Sequence, residues 1–173
     1  MSKAAILQPD LVLGGPIVEL SPEILEKNQL KGLILDVDET LVPLREKDVS
    51  SELLEWVKPI KQVAAISLVS NNLSENRIGR IARDLEVPYF IRARKPSRRK
   101  LRQALEGMNL PVSEVAMVGD RLFTDVLAGN RLGMFTILVE PMVDPAKIPN
   151  SYPLRNLEVW LSRALGVSLS GRK

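Results

Sequence analysis

Five runs of almost continuous apolar residues divide the chain into regular segments. They cover residues 32–35, 63–69, 89–91, 115–118 and 134–139. The runs lack the alternation of apolar and polar residues that marks a strand with one solvent-facing side, and continuous runs of this length are typical of strands buried on both faces of a parallel sheet. The pattern therefore predicts five buried parallel strands.

Segments with apolar residues at helical spacing separate these runs. Ser50, Ser74 and Ser97 are each placed to cap such a helix, and Pro59 is expected to limit or bend the first of them. Gly133 is expected to end the helix before the last run. Strands that alternate with helices form βαβ units with right-handed crossovers. The sequence therefore predicts an α/β fold, a three-layer αβα sandwich around a Rossmann-like parallel sheet.

The two ends of the chain lie outside this alternation. Residues 1–30 are interrupted by glycines and prolines, and we expect an irregular arm that packs on the domain, with one turn of helix near residues 21–27. Residues 145–173 carry apolar residues at helical spacing and are expected to form a surface helix. The length of 173 residues predicts a single domain.

Polar side chains follow four of the predicted strands, at the point where each strand ends. They are Asp36 and Asp38 after the first run, Ser70 and Asn71 after the second, Lys95 after the third, and Asp120 after the fourth. Ligands of parallel α/β sheets bind outside the carboxyl ends of the strands. Since a buried carboxylate is costly without a compensating partner, we expect a functional site at this edge of the sheet.

Residue usage restricts the chemistry of such a site. The chain contains no cysteine and no histidine, which excludes disulfides, thiolate nucleophiles, imidazole bases and nearly all zinc sites. Carboxylate ligands without nitrogen or sulfur suit a hard ion such as Mg²⁺. A hydrophobic fraction of 45% with 26% charged residues is typical of a soluble protein, and no apolar run approaches the ~18 residues of a membrane span. We therefore expect a cytoplasmic protein.

A phosphoryl group fits the predicted site. Three carboxylates around one point stay ionised together only beside cations, which Mg²⁺ and Lys95 would supply. Asp36 is then poised for in-line attack on phosphorus, giving an aspartyl-phosphate, while Ser70 and nearby backbone amides donate hydrogen bonds to the phosphoryl oxygens. Asp38 would protonate the leaving oxygen and later activate the hydrolytic water. The residues thus favour a phosphomonoester hydrolase.

The chain also carries four short motifs in a fixed order, each at a predicted strand end: DVDETLV, LVSNN, RKP and VGDRLFTD. Together they resemble the four motifs of the haloacid dehalogenase (HAD) superfamily of phosphatases, over residues 32–139. The SNN and KP pairs and the layout without a cap domain are most similar to the YqeG group of the capless subfamily III, which is itself similar to phosphatidylglycerophosphatases. The resemblance implies a HAD-like fold and phosphatase activity.

The same resemblance implies roles for individual residues. It implies that Asp36 is the nucleophile, Asp38 the acid and base, Ser70 a phosphate ligand and Lys95 the charge-stabilising lysine. It further implies Mg²⁺ held by Asp36, the backbone carbonyl of Asp38, and Asp120. Asp125 lies near the ion in this arrangement and acts on it indirectly or through water. Asn71 and Arg94, the neighbours of Ser70 and Lys95, are further candidates for substrate binding.

The spacing of the motifs bears on the substrate. One helix and one strand fill each segment between Asp38, Ser70 and Lys95, so no cap domain fits, and an uncapped site suits a bulky or surface-embedded substrate. Residues 92–102 hold seven cations and no acid, and the run is either an anion-facing patch or a solvated face. With the family resemblance, these features predict phosphatidylglycerophosphate as the substrate. Peripheral contact with an anionic membrane, helped by leucines of the N-terminal arm, is left open.

Other functions are compatible with parts of this pattern. One alternative is a phosphatase for a soluble or protein-borne phosphomonoester, and a second is a non-enzymatic phospho-acceptor or scaffold domain. A receiver domain carries its acceptor aspartate after the third strand, where this chain has Arg94 and Lys95, so the order of motifs favours the hydrolase. Nucleic acid is not an expected partner, since aromatic residues make up only 4% of the chain. The sequence does not indicate an oligomeric state.

Overall fold

A parallel β-sheet forms the centre of the computed structural model, which describes residues 5–142 and residue 166. Within these residues the sheet has six strands: β1 (Leu11–Val12), β2 (Gly32–Leu35), β3 (Ala65–Val69), β4 (Tyr89–Phe90), β5 (Val115–Gly119) and β6 (Phe135–Leu138). Their order is β1-β6-β5-β2-β3-β4, and every neighbouring pair is parallel. The two strands that end in aspartates, β2 and β5, are therefore adjacent at the centre.

Helices cover both faces of this sheet. They are α1 (Pro22–Lys27), α2 (Ser51–Val63), α3 (Glu75–Leu85), α4 (Arg99–Met108) and α5 (Leu127–Asn130), with a π-helical turn at Leu122–Val126 directly before α5. Short 3₁₀ turns lie at Ala5–Leu7, Ile17–Glu19 and Val112–Glu114. Leu33 and Leu35 of β2 face a core shared with α1, α2 and α3, while Ile34 faces a second core with α4 and α5. The predicted three-layer α/β fold is confirmed.

The starts of three helices test the predicted caps. Ser50 Oγ accepts a hydrogen bond from the Leu53 amide at 3.2 Å, and Ser74 Oγ accepts one from the Arg77 amide at 3.4 Å, as expected for N-caps. The cap predicted at Ser97 is wrong. Ser97 closes a turn by donating its amide to Arg94 O, and α4 begins two residues later, with Arg98 at its N-cap.

The sequence predicts that Pro59 limits or bends α2 and that Gly133 ends the helix before β6. Pro59 lies inside α2, which continues to Val63, so this proline does not end the helix. Gly133 has a φ of +75°, which favours glycine, and it follows α5 after two further residues in a turn. It therefore marks the return of the chain towards β6.

The N-terminal arm is more regular and more deeply packed than expected. β1 adds a parallel edge strand beside β6, and its two residues between Pro9 and Gly14 are too few to show a strand pattern in the sequence. Leu20 is fully buried, and its carbonyl accepts a hydrogen bond from Trp56 Nε1 at 2.8 Å. The arm thus belongs to the core.

Two further expectations concern the arm and the tail. Leu7 is buried and Leu11 and Leu13 are half-buried against the core, so the packing does not favour these leucines as membrane contacts. The predicted helix at 145–173 lies outside the described residues, apart from residue 166. Among the described helices, none has the length and apolar character required to cross a bilayer.

Candidate active site

Three buried aspartates converge at the carboxyl ends of β2 and β5. Asp36 follows β2, and its amide donates to Val118 O of β5 at 2.9 Å, which sets it beside Asp120 at the end of β5. Asp125 reaches the same place from the π-helical turn. One carboxylate oxygen of each residue lies within 4.8 Å of the other two. The expected convergence of Asp36, Asp120 and Asp125 is therefore observed.

The close approach of Asp125 depends on a glycine. Gly119 is the last residue of β5, and a Cβ built there would collide with the Asp125 carboxylate. The missing side chain leaves the space that this carboxylate occupies. Arg121 supports the arrangement, because its amide donates to Asp125 Oδ2 at 3.3 Å.

Lys95 is the cation of this cluster. Its Nζ lies 2.6 Å from Asp36 Oδ1 and 2.7 Å from Asp125 Oδ1, and its side chain is only 1% exposed. Asn71 fixes the lysine backbone, since its side-chain oxygen accepts the Lys95 amide at 2.6 Å and its amide group donates to Lys95 O at 3.2 Å. Asn71, a substrate-binding candidate from the sequence, thus uses its side chain to hold the lysine.

Thr40 joins two of the carboxylates and was not assigned a role from the sequence. Its buried hydroxyl lies 3.4 Å from Asp36 Oδ2 and 3.2 Å from Asp120 Oδ1. A hydroxyl has one proton to donate, so it can serve only one of these oxygens at a time. The other oxygen is then open to a second donor or to a cation.

Asp38 has a separate environment, although it lies only two residues from Asp36. Its carboxylate pairs with the Arg77 guanidinium and accepts a hydrogen bond from Asn72 Nδ2 at 3.0 Å, and its side chain is 22% exposed. Arg77 is itself anchored, because it donates to Pro43 O at 3.1 Å and to Glu46 O at 2.8 Å. The carboxylate of Asp38 is therefore oriented by α3 and by the loop after β2.

Ser70 lies at the end of β3 and is fully buried. Its oxygen accepts the Asn72 amide at 3.0 Å, and its hydroxyl proton is committed to no acceptor among the described residues, which leaves it free to donate to a ligand. Arg94 differs from the other candidates. It is exposed and lines a cleft to which none of the three aspartates contributes.

The charges of the cluster do not balance within the protein. Burial raises the pKa of Asp36 to about 7, an effect that Lys95 opposes and that the neighbouring Asp125 strengthens. Burial, with Asp125 and Asp36 close by, raises the pKa of Asp120 to about 8. Burial lowers the pKa of Lys95, but Asp125 and Asp36 outweigh it and the net shift is upward. Both pKa shifts of the aspartates come first from burial and are strengthened by the neighbouring carboxylates.

A divalent cation would balance the charges of the cluster. Three carboxylates against one ammonium leave an excess of two negative charges (3 − 1 = 2) when all are ionised. Asp125 Oδ1 is buried and accepts no hydrogen bond from a described residue, its one close contact being the Lys95 ion pair. An oxygen-only donor set with this charge fits a hard ion such as Mg²⁺.

Comparisons with known proteins agree with this geometry. The HAD-hydrolase-like family matches residues 92–145, which include Lys95, Asp120 and Asp125. The chain is 37% identical over 127 residues to the probable phosphatase YqeG of Bacillus subtilis, with 73% of each protein covered. It is 32% identical over 157 residues to the chloroplastic/mitochondrial phosphatidylglycerophosphate phosphatase 1 of Arabidopsis thaliana, a match that covers 83% of this chain and 45% of that protein.

Solved structures show the same fold. The cobalt-bound form of the deoxy-D-mannose-octulosonate 8-phosphate phosphatase of Haemophilus influenzae superposes with a TM-score of 0.53 at 14% identity, covering 80% of this chain and 91% of that one. An uncharacterized protein from Listeria monocytogenes gives 0.54 at 17% identity, covering 78% and 99%. At these identities the likeness extends to the fold alone.

The relatives place the chain among the hydrolases of the HAD superfamily, and its described residues form a parallel sheet in which a single helix connects β2 to β3, without a cap domain. Within that superfamily, the chain belongs to the YqeG-like phosphatases. The resemblance stated from the four motifs is thereby confirmed.

Proposed function

We propose that the protein is a Mg²⁺-dependent phosphomonoesterase that converts phosphatidylglycerophosphate to phosphatidylglycerol through an aspartyl-phosphate. The observation that carries the proposed chemistry is the buried contact between Asp36 and Lys95, at 2.6 Å, inside a cluster that is short of positive charge. The Asp36 carboxylate can act as a nucleophile towards the phosphorus of a phosphoryl group. Cations beside it would neutralise the negative charge of the phosphoryl oxygens.

In this proposal Asp36, the backbone carbonyl of Asp38, and Asp120 hold the Mg²⁺, and Asp125 lies beside it. When bound, the ion would neutralise the carboxylates and the phosphoryl oxygens and orient the substrate. Lys95 would neutralise a further oxygen, and Ser70 would donate its free hydroxyl proton to another. These contacts strengthen as negative charge develops on the phosphoryl group.

The reaction has two steps. In the first, an oxygen of Asp36 attacks phosphorus, the bond to the leaving alcohol breaks, and Asp38 gives a proton to that alcohol. In the second, Asp38 takes a proton from water, which attacks phosphorus and releases Asp36. Arg77 and Asn72 hold the Asp38 carboxylate in one orientation for both proton transfers.

A lipid substrate is supported by a relative and by the openness of the fold. The Arabidopsis relative is named as a phosphatidylglycerophosphate phosphatase. Only α2 separates β2 from β3, and only α3 separates β3 from β4, so no cap covers the strand ends within the described residues. An uncovered site can receive a headgroup that stays attached to a membrane, whereas a closed pocket cannot.

The proposal is tested by phosphate release from vesicles containing phosphatidylglycerophosphate, compared with soluble sugar and nucleotide phosphates, in Mg²⁺ and in excess chelator. We expect the lipid to have the higher kcat/KM and activity to require Mg²⁺. A higher kcat/KM for a soluble phosphate would contradict the lipid substrate while leaving the phosphatase in place. Full activity in chelator would contradict the metal site.

A further inference from the structure

A basic cleft of about 610 Å³ is lined in part by residues on either side of Lys95 in the chain. It is lined by four cations, one acid and one hydroxyl: Arg92, Arg94, Arg99, Lys100, Glu75 and Ser97. The apolar residues Ile91 and Ala93 complete the lining. None of the three aspartates of the cluster contributes to it, so the cleft is distinct from the carboxylate cluster.

The arginines of the basic cleft have no ion-pair or hydrogen-bond partner for their side chains among the described residues. Arg92, Arg94 and Arg99 form no ion pair and no side-chain hydrogen bond with any residue in the described part of the chain, whereas Arg77, Arg80 and Arg98 are each engaged by an oxygen. Lys100 lies over the ring of Phe90, with its Nζ 5.8 Å from the centroid.

Unpaired cations that share a concave surface repel each other and focus a positive potential into it. Four cations against Glu75 give an excess of three positive charges in the cleft (4 − 1 = 3). This excess is as large as the formal net charge of the whole chain, which is +3. The positive charge is therefore concentrated in the cleft and is not spread evenly over the protein. Guanidinium groups pair with phosphate oxygens through two parallel hydrogen bonds. The chemistry of the cleft therefore suits a phosphate group.

Backbone hydrogen bonds tie the basic cleft to the reaction centre. The Ala93 amide donates to Ser70 O at 3.0 Å, and the Arg92 amide donates to Asn72 O at 3.1 Å. Burial alternates along the next residues, since Ala93 and Lys95 are buried while Arg92 and Arg94 are exposed. One short segment thus presents Lys95 to the aspartates and Arg92 and Arg94 to the cleft.

We propose that the basic cleft binds a second phosphate of the substrate, so that the preferred substrates carry a phosphodiester close to the phosphomonoester that is cleaved. This inference rests on the proposed phosphatase function and narrows its substrate class. Phosphatidylglycerophosphate belongs to that class, because its glycerol carries a phosphodiester at one end and a phosphomonoester at the other. The cleft recognises the headgroup itself and does not require the acyl chains.

The test uses the Mg²⁺-loaded full chain and two soluble substrates: glycerophosphoryl-glycerophosphate, which has both phosphates and no acyl chain, and glycerol 3-phosphate, which has only the phosphomonoester. Arg92→Gln and Arg99→Gln each remove one cation from the cleft. We expect each to raise KM for the first substrate about tenfold, the effect of losing one charge-assisted hydrogen bond. KM for glycerol 3-phosphate and kcat for both substrates should change less than about twofold.

Arg102→Gln is the matched control, since Arg102 is exposed on α4, carries the same charge and does not line the cleft. It should leave KM for both soluble substrates within about twofold. Equal effects of all three substitutions would overturn the proposal in favour of general electrostatic attraction. Effects of Arg92→Gln and Arg99→Gln that appear only with vesicles would overturn it in favour of membrane contact.

A binding measurement separates this proposal from the proposed function. Glycerophosphoglycerol has the phosphodiester and no cleavable phosphomonoester, and calorimetry should detect its binding to the parent protein and a loss of about tenfold in Arg92→Gln. Binding that depends on Arg92 in a protein without phosphatase activity would support the cleft and refute the function. Turnover with no difference between the parent and Arg92→Gln would support the function and refute the cleft.

Discussion

Asp36 and Asp38 are two residues apart, yet the fold gives them opposite surroundings. Asp36 is buried against Lys95, and burial together with the neighbouring carboxylates raises its pKa. Asp38 is partly exposed and is held by Arg77 and Asn72, which come from outside the carboxylate cluster. Two chemically identical side chains can take different roles when their environments differ. In the proposed mechanism the buried carboxylate of Asp36 bonds to phosphorus, and the partly exposed carboxylate of Asp38 carries out the proton transfers.

The substitution Asp36→Asn tests the role of the buried carboxylate. An amide of the same shape cannot form the phosphoryl bond, so we expect turnover of any substrate to fall by at least about 10³-fold. The fold should persist, because the substitution removes a buried charge without changing the side-chain volume. Phosphate release and circular dichroism on the same preparation measure the two effects. Near-normal release of phosphate would contradict the assignment of Asp36 as nucleophile.

Asp38→Asn should fail at a different step. With a good leaving group such as p-nitrophenol, the phosphoryl transfer to Asp36 needs little acid help, whereas hydrolysis of the aspartyl-phosphate loses its base. We expect steady-state turnover to fall by about 10²- to 10⁴-fold. Rapid mixing should show a burst of p-nitrophenol followed by the slow rate. Loss of the burst together with the steady state would assign Asp38 to the first step.

The substitution Arg77→Gln tests whether the orientation of the Asp38 carboxylate matters, because it removes the ion pair and keeps the carboxylate. We expect kcat to fall by about tenfold to a hundredfold, because a mispositioned acid or base is costly in this range. The double variant with Asp38→Asn should be no slower than Asp38→Asn alone, since both changes act on the same proton transfer. Arg80→Gln is the control on the same helix, as Arg80 pairs with the exposed Asp48 at 2.6 Å. Additive losses in the double variant would show that Arg77 acts elsewhere.

Arg77 also illustrates what the sequence could not predict. Asp36, Ser70 and Asp120 each directly follow a strand, and Lys95 lies in the loop after β4. The sequence predicts that they come together because parallel strands bring their carboxyl ends to one edge. Arg77 lies in the first turn of α3, close to the end of β3, and the same helix carries Arg80 one turn further on. Which of these arginines meets Asp38 depends on how the helix is rotated over the sheet edge, a property of the packed fold.

The partners of Lys95 and Asp125 show the same limit. The sequence placed both near the site, but their 2.7 Å ion pair depends on a π-helical turn and on the space beside Gly119. The cap predicted at Ser97 is wrong because a local turn there delays the start of α4. The sequence does not indicate β1, because a strand of two residues is too short to show a repeating pattern of apolar residues. Strand ends were predictable, whereas helix rotation and short irregular turns were not.

The smallest expected effect concerns stability in the absence of metal. The pKa of Asp36 is raised to about 7 and that of Asp120 to about 8, from the ordinary value of 3.8 for an aspartate. Between about pH 4 and pH 8 the folded protein therefore binds more protons than the unfolded chain, and its free energy of unfolding falls as pH rises. Thermal melting in chelator should give a Tm several degrees lower at pH 8 than at pH 6.

Mg²⁺ should reverse this trend, because it binds the ionised carboxylates and competes with the protons. Added Mg²⁺ is expected to raise Tm more at pH 8 than at pH 6. Asp36→Asn removes one of the two titrating carboxylates, so in chelator its Tm should depend less on pH than that of the parent protein. A metal-free Tm that rises steadily from pH 5 to pH 8 would contradict the raised pKa values, and with them the account of Asp36 as a carboxylate whose burial calls for a cation.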